Sequence, residues 1–171
     1  PDIGAAEVAD ARLRAASAFS NAGSYRAAIH ELDECRTVLA GLDDPRLHAN
    51  ERLHRGRTLA ILGDAESSEA ATRDAVSLAE SLGDSDMLAD ALSALGSVYE
   101  RQGQLNEALE VFQRAISLLA SSTALVPRTL LRVGYASALR EAGRTIDALD
   151  QARAAYEGLR VADHPRLYIH A

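Results

Sequence analysis

Apolar residues recur along the chain with the spacing of one helical face, and the runs stop at regular glycines. The pattern predicts helices over 5–21, 25–40, 45–62, 65–82, 86–102, 105–120, 126–142, 145–160 and from 164 onward. Gly41 and Gly83 follow the second and fourth runs and read as C-caps. Asp44-Pro45 reads as an N-cap followed by proline at the first helical position. Val126-Pro127 and His164-Pro165 mark later starts.

The punctuation has a period. Gly23, Gly63, Gly103 and Gly143 stand 40 residues apart. Seven residues before them stand Ala16, Gly56, Gly96 and Ala136; five after, Ala28, Ser68, Ala108 and Ala148; twelve after, Cys35, Ala75, Ala115 and Ala155. All are small. Four before stand Phe19, Leu59, Tyr99 and Leu139, all large and apolar. Glycine supplies the left-handed backbone of a tight corner between helices. Small residues on either side let the two helices approach closely, and the large residue fills the gap beside them. Each period is thus a helical hairpin that cannot bury its apolar face alone, so the hairpins stack. The expected fold is all-α: a right-handed α-solenoid of four antiparallel helix pairs, with units of about 5–44, 45–85, 86–125 and 126–163 in one domain. Residues 164–171 begin a terminal helix, either a partial fifth unit or a closing helix; "HPRLYIHA" there echoes "DPRLHANE" in the second unit.

The third unit is the clearest. In "SALGSVYERQGQLNEALEVFQRAI", residues 93–116, the set Gly96, Tyr99, Gly103, Ala108, Phe112 and Ala115 resembles the tetratricopeptide repeat signature, and the resemblance runs from about residue 5 to 160. It departs in three ways. The usual period is about 34 residues, whereas here it is 40. The longer form is similar to repeats of kinesin light chains, of certain polarity adaptors and of large bacterial transcription regulators. The aromatic or leucine early in the first helix is Leu92 in the third unit but Arg12, Arg52 and Arg132 in the others. Arg55 also replaces an apolar residue, which leaves the rotation of these helices open.

Composition narrows the function. The chain has 171 residues, 47% hydrophobic and 25% charged, with 4% aromatic residues and no Trp. The net charge of −7 argues against general nucleic-acid binding, which needs a basic face. No apolar run is long enough for a membrane span and no signal peptide opens the chain. A single Cys35 allows no internal disulfide and fits a reducing, cytoplasmic setting. The chain opens at Pro1 without Met and reads as a piece of a longer protein.

No motif for chemistry appears. His30, His48, His54, His164 and His170 include no i, i+4 zinc pair, and there is no phosphate loop or nucleophile elbow. Cys35 falls in a packing column and reads as an unreactive thiol. Asp43-Asp44 and Asp84/Asp86 sit at helix starts, where they oppose the dipole. The expectation is therefore no enzyme, no cofactor and no metal.

What remains is a surface. Residues 13, 10, 6, 3 and 2 before each glycine share one face of the first helix and avoid the packing columns. The stripe runs Asp10, Leu13, Ser17, Ser20, Asn21; Asn50, Leu53, Arg57, Ala60, Ile61; Asp90, Ser93, Ser97, Glu100, Arg101; and Leu130, Val133, Ser137, Arg140, Glu141. In repeats of this kind the first helices line the inner face. The candidate partner contacts are Asn50, Leu53, Arg57, Asp90, Ser93, Ser97, Glu100, Arg101, Val133, Ser137 and Arg140, with Gly23, Gly63, Gly103 and Gly143 structural. Arginines there can fork a carboxylate, but Arg101 and Arg140 also sit beside Glu100 and Glu141. Family members that clamp a C-terminal carboxylate use lysines, and this chain has none. A basic segment, 45–57, holds Arg46, Arg52, Arg55 and Arg57 against Glu51 alone; it either attracts an acidic partner or neutralises acids on neighbouring helices.

The reading is a non-catalytic module that binds a protein or peptide on its concave face. The alternatives are the ligand-sensing region of a large bacterial transcription regulator, and self-association through a bared end of the array.

Overall fold

A computed structural model describes residues 4–119 and 125–162 of the chain. Eight helices follow one another: α1 (Ala5–Asn21), α2 (Tyr25–Leu39), α3 (Pro45–Leu62), α4 (Ala65–Leu82), α5 (Ser85–Arg101), α6 (Leu105–Leu118), α7 (Leu125–Glu141) and α8 (Thr145–Ala162). There is no strand among the described residues. These are the eight helices that the apolar periodicity and the glycines predict, each end within two residues. The helix expected from residue 164 lies outside the described residues.

The helices pair as hairpins, α1 with α2, α3 with α4, α5 with α6 and α7 with α8. The contacts divide the chain into two compact units, one ending at Asp84 and the other beginning at Ser85. In the first unit both α1 and α2 pack on α3; in the second both α5 and α6 pack on α7. This is an all-α repeat architecture in which, within each unit, one hairpin offers a face to the next.

The four periodic glycines make the corners. Gly23, Gly63, Gly103 and Gly143 have φ of 75°, 86°, 75° and 76°. No atom lies within 4 Å of a Cβ built on any of them, so the backbone conformation and not crowding requires glycine. Each corner closes with the same bond. The N–H after the glycine donates to the carbonyl five residues back: Ser24 to Phe19, Asp64 to Leu59, Gln104 to Tyr99 and Arg144 to Leu139, at 2.8–3.1 Å. This is the six-to-one bond of a Schellman cap. Gly83 ends α4 in the same left-handed conformation. Gly41 does not. The helix before it ends at Leu39, its cap residue Ala40 has ordinary right-handed angles, and the chain leaves through short turns, Gly41 N–H to Val38 O and Leu42 N–H to Leu39 O. At the helix starts, Asp44 Oδ1 accepts from the Leu47 N–H at 3.0 Å and Asp64 Oδ1 from the Ser67 N–H at 3.1 Å.

Close approach shapes the hairpins. A Cβ on Gly56 would overlap the Thr72 methyl of α4, and one on Gly96 would stand 2.9 Å from the Phe112 ring. The other edge of that ring lies 3.1 Å from a Cβ built on Gly134. Phe112 is fully buried between these glycines and near Tyr135, with ring centroids 6.1 Å apart. In the first unit the core of α1 and α2 is built from Ala9, Leu13, Ala16, Leu32, Cys35 and Leu39. Burial pushes the Cys35 thiol up to about 11, and the nearby Glu51 charge adds to the effect.

Candidate interaction surface

The arginines that stand in apolar columns do not rotate their helices outward; they reach across the hairpin. Arg12 Nη1 of α1 lies 2.7 Å from Glu31 Oε2 of α2, and Arg132 Nη1 of α7 donates to Gln151 Oε1 of α8 at 2.6 Å. Both partners are 19 residues on. In the third unit the same two columns hold Leu92 and Val111. The pair of columns is thus polar in the first and fourth hairpins, where it makes a direct bond, and apolar in residue type in the third. Arg52, whose partner column holds Ala71, reaches Asp74 at 3.7 Å instead.

Arg55 is the centre of a buried network. It is 7% exposed and Glu51 is 1% exposed. Arg55 Nε donates to Glu51 Oε1 at 2.6 Å and Nη1 lies 2.9 Å from Asp33 Oδ1 of α2. Arg52 and Arg36 approach the same Glu51 carboxylate at 3.6 and 3.9 Å. Arg55 Nη2 is buried without a hydrogen bond. Sequence reasoning placed Arg55 in an apolar column but missed this network; the signal was Glu51 four residues before it, an i, i+4 pair on the same helix. With Arg46 also 2.7 Å from Asp84, three arginines of the basic segment 45–57 are engaged by acids of their own unit.

The first-helix stripe divides by unit. In the first, Leu53 is 4% exposed and Leu13 is also buried. Leu53 is thus a packing residue and not a contact for a partner: α1 lies against α3, and this position turns inward. Asn50 and Arg57 are half-buried, and Ser20 Oγ meets Thr58 Oγ1 at 3.2 Å where the two helices touch. The apolar exposure of this stripe comes from Ile61, near the glycine corner. In the second unit, Asp90, Arg101 and Arg140 are exposed, while Ser93, Ser97, Glu100 and Ser137 are half-buried. Ser97 Oγ is turned back to the Ser93 carbonyl at 3.1 Å. Val133 is 39% and Leu130 55% exposed, which puts two large apolar side chains on the stripe of α7. Arg140 lies 3.7 Å from Glu141.

Other features are modest. A shallow hollow of about 360 Å³ at α3 and α4 is lined by His48, Arg52, Asp74, Ser77 and Leu78, but its Arg52 is already engaged. Among the described residues no group of three or more His, Cys, Asp or Glu is placed to hold a metal. No helix there is long and apolar enough to cross a membrane.

Helix pairs joined by glycine corners, with small residues at the close approaches, define a helical-repeat protein. Residues 47–121 match the tetratricopeptide repeat model. No curated protein matches the sequence. Among solved structures the chain is similar to nearly identical tetratricopeptide-like repeats attributed to a kinesin light chain of Podosopora anserina, in a variant form. The TM-score is 0.70 at 14% identity, over 91% of this chain and 76% of that one. It is also similar to a signal transduction ATPase with numerous domains from Pyrococcus horikoshii that carries a tetratricopeptide repeat sensor. There the TM-score is 0.76 at 11% identity, over 93% of this chain but only 25% of that one. At these identities the likeness establishes the fold. Repeats of this family are in general non-catalytic and mediate protein–protein interaction.

Proposed function

We propose that the chain is a non-catalytic module that binds a protein or peptide through the stripes on its first helices. The contacts come from Asn50 and Arg57 in the first unit and from Asp90, Ser93, Ser97, Glu100, Arg101, Val133, Ser137 and Arg140 in the second. The observation that carries this reading is the exposure of Val133 and Leu130 on the α7 stripe. Apolar side chains in the open, beside small serines, offer contact area without a bulky rim. A pre-formed helical face costs little ordering on the module's side. Partners are protein or peptide; neither nucleic acid in general nor a membrane suits the acidic balance and the helices. A cytoplasmic, reducing setting suits the buried Cys35.

The test is selection of binding peptides from a displayed library, followed by affinity measurement against Val133→Asp and Arg57→Ala. Loss of binding with an unchanged thermal melt supports the reading; unchanged affinity for both variants overturns the placement of the surface.

Two other readings have an observation each. The likeness to the repeat sensor of the archaeal ATPase supports a ligand-sensing region within a larger regulator. The exposure of Ile146 and Leu149, 77% and 61%, on α8 supports self-association. A mass that rises with concentration in sedimentation, and that Leu149→Glu returns to the monomer, selects the latter.

A further inference from the structure

The second helices of the four hairpins align at steps of 40. One stripe of four positions, spaced by three, four and three residues, differs among them. It reads Arg26, Ile29, Asp33, Arg36 on α2 and Glu66, Glu69, Arg73, Val76 on α4. It reads Asn106, Leu109, Gln113, Ile116 on α6 and Ile146, Leu149, Arg153, Tyr156 on α8. Its far end faces the next hairpin of the same unit. Asp33 and Arg36 reach Arg55 and Glu51 of α3, and Ile116 lines a cavity with Leu131 and Arg132 of α7. Its first position stays outside that contact: Arg26, Glu66 and Asn106 are all polar and exposed.

The last helix departs from this plan. α8 packs on α7, and its Ala148 and Ala155 are buried. All four of its stripe residues are exposed, Ile146 most of all at 77%. A further hairpin stacked on α8 would use Leu149 and Tyr156, whose counterparts Leu109 and Ile116 are half-buried. It would have no use for Ile146, because no other hairpin keeps an apolar residue at that position. The spacing of three and four is that of a seam between two helices, and the stripe is complementary to itself. Laid antiparallel against a second α8, it sets Ile146 against Tyr156 and Leu149 against the Arg153 stem, in both directions. Asp150, exposed beside the stripe, then lies next to the Arg153 head of the other helix, and the two-fold axis makes that pair twice. A parallel pairing would set Arg153 against Arg153.

We propose that the exposed face of α8 is an interface for a second copy of this chain, formed by antiparallel pairing of α8 with α8. The inference rests on the self-association reading above and gives it a surface and a polarity; the first-helix stripes take no part. One helix face is small beside the roughly 800 Å² per partner of a standard interface, so the pairing is reversible and follows concentration.

The experiment is sedimentation equilibrium of the whole chain and of variants at exposed positions, with thermal melts as the control for folding. The wild-type mass is expected to rise from monomer towards dimer with concentration, and Leu149→Glu to weaken the dimer at least about tenfold. Asp150→Arg and Arg153→Asp each set like charges across the seam, and each is expected to weaken self-association at least about tenfold. Mixed together, these two variants are expected to recover a heterodimer, because each altered helix then meets its opposite charge. A dimer that withstands Leu149→Glu keeps self-association but overturns the α8 interface. A dimer lost with Leu149→Glu, but with no recovery in the mixture, overturns the antiparallel pairing. A monomer at every concentration up to about 1 mM overturns the proposal and the self-association reading together. In that monomer, contacts from the Leu149 methyls to residues 163–171, read by nuclear Overhauser effects, would identify the chain's own later residues as what covers the face.

Discussion

The interface of α2 with α3 and that of α6 with α7 occupy the same place in two copies of one plan, yet they are held differently. The first is ionic: Asp33, Arg36, Glu51, Arg52 and Arg55 converge, and Glu51 is removed from water. The second is apolar and aromatic: Gln113, Ile116, Leu131, Arg132 and Tyr135 stand at the equivalent positions, with Phe112 wedged beside Tyr135. The lesson is that the repeat specifies where backbones meet, not what chemistry seals the seam. The glycine corners and small columns are common to both; the filling is free to change if it changes in concert. A buried ion pair adds little net stability, because desolvation offsets most of the attraction, but half of one is costly.

That difference can be broken deliberately. Glu51→Ala takes the buried carboxylate from the Arg55 guanidinium, leaving it only the exposed Asp33, and is expected to cost about 3–5 kcal/mol in chemical denaturation. Glu51→Leu with Arg55→Tyr, which copies the second unit, is expected to be neutral or stabilising by about 1–4 kcal/mol. A double variant as damaged as the single one shows that the two seams are not interchangeable. In the second unit, Gly96→Ala pushes a methyl into the Phe112 ring and is expected to cost about 1–3 kcal/mol; Phe112→Leu in that background is expected to return part of the loss.

Smaller effects sharpen the picture. Arg12→Leu alone removes a partly exposed pair and is expected to cost about 0.2–1 kcal/mol. Adding Glu31→Val, to copy Leu92 and Val111, is expected to restore wild-type stability, read from urea midpoints. The smallest effect is on pH. The folded chain keeps the Cys35 proton up to about 11, whereas the unfolded chain releases it from about pH 8.5. The unfolded form is therefore favoured as pH rises through that window. Wild type is expected to lose stability relative to Cys35→Ala between those values, and parallel curves contradict the buried thiol.

Much of the fold is legible in the residues. Corners and helix spans follow from glycines every forty positions, because one backbone conformation must recur. Gly41 misleads, since a glycine after a helix reads as a cap whether or not the chain turns left-handed there. The surface was less legible. Leu53 shares its face with Asn50 and Arg57 on a helical wheel, but a wheel does not show how far α1 covers that face. The Glu51–Arg55 pair looks like a solvated i, i+4 bridge until α2 brings Asp33 and Arg36 over it. The Arg12–Glu31 contact was in principle readable, because the spacing of 19 returns in Arg132 and Gln151.

The shared closing bond at every glycine corner has a consequence for how such a chain lengthens. Because the backbone enters and leaves each corner in the same state, the stretch from one of these glycines to the next is an interchangeable cassette. Removing residues 24–63 would splice Gly23 onto Asp64 without changing the conformation required at the junction. Growth or shrinkage by whole cassettes thus disturbs no corner, and the burden of adjustment falls entirely on the seams between neighbouring hairpins.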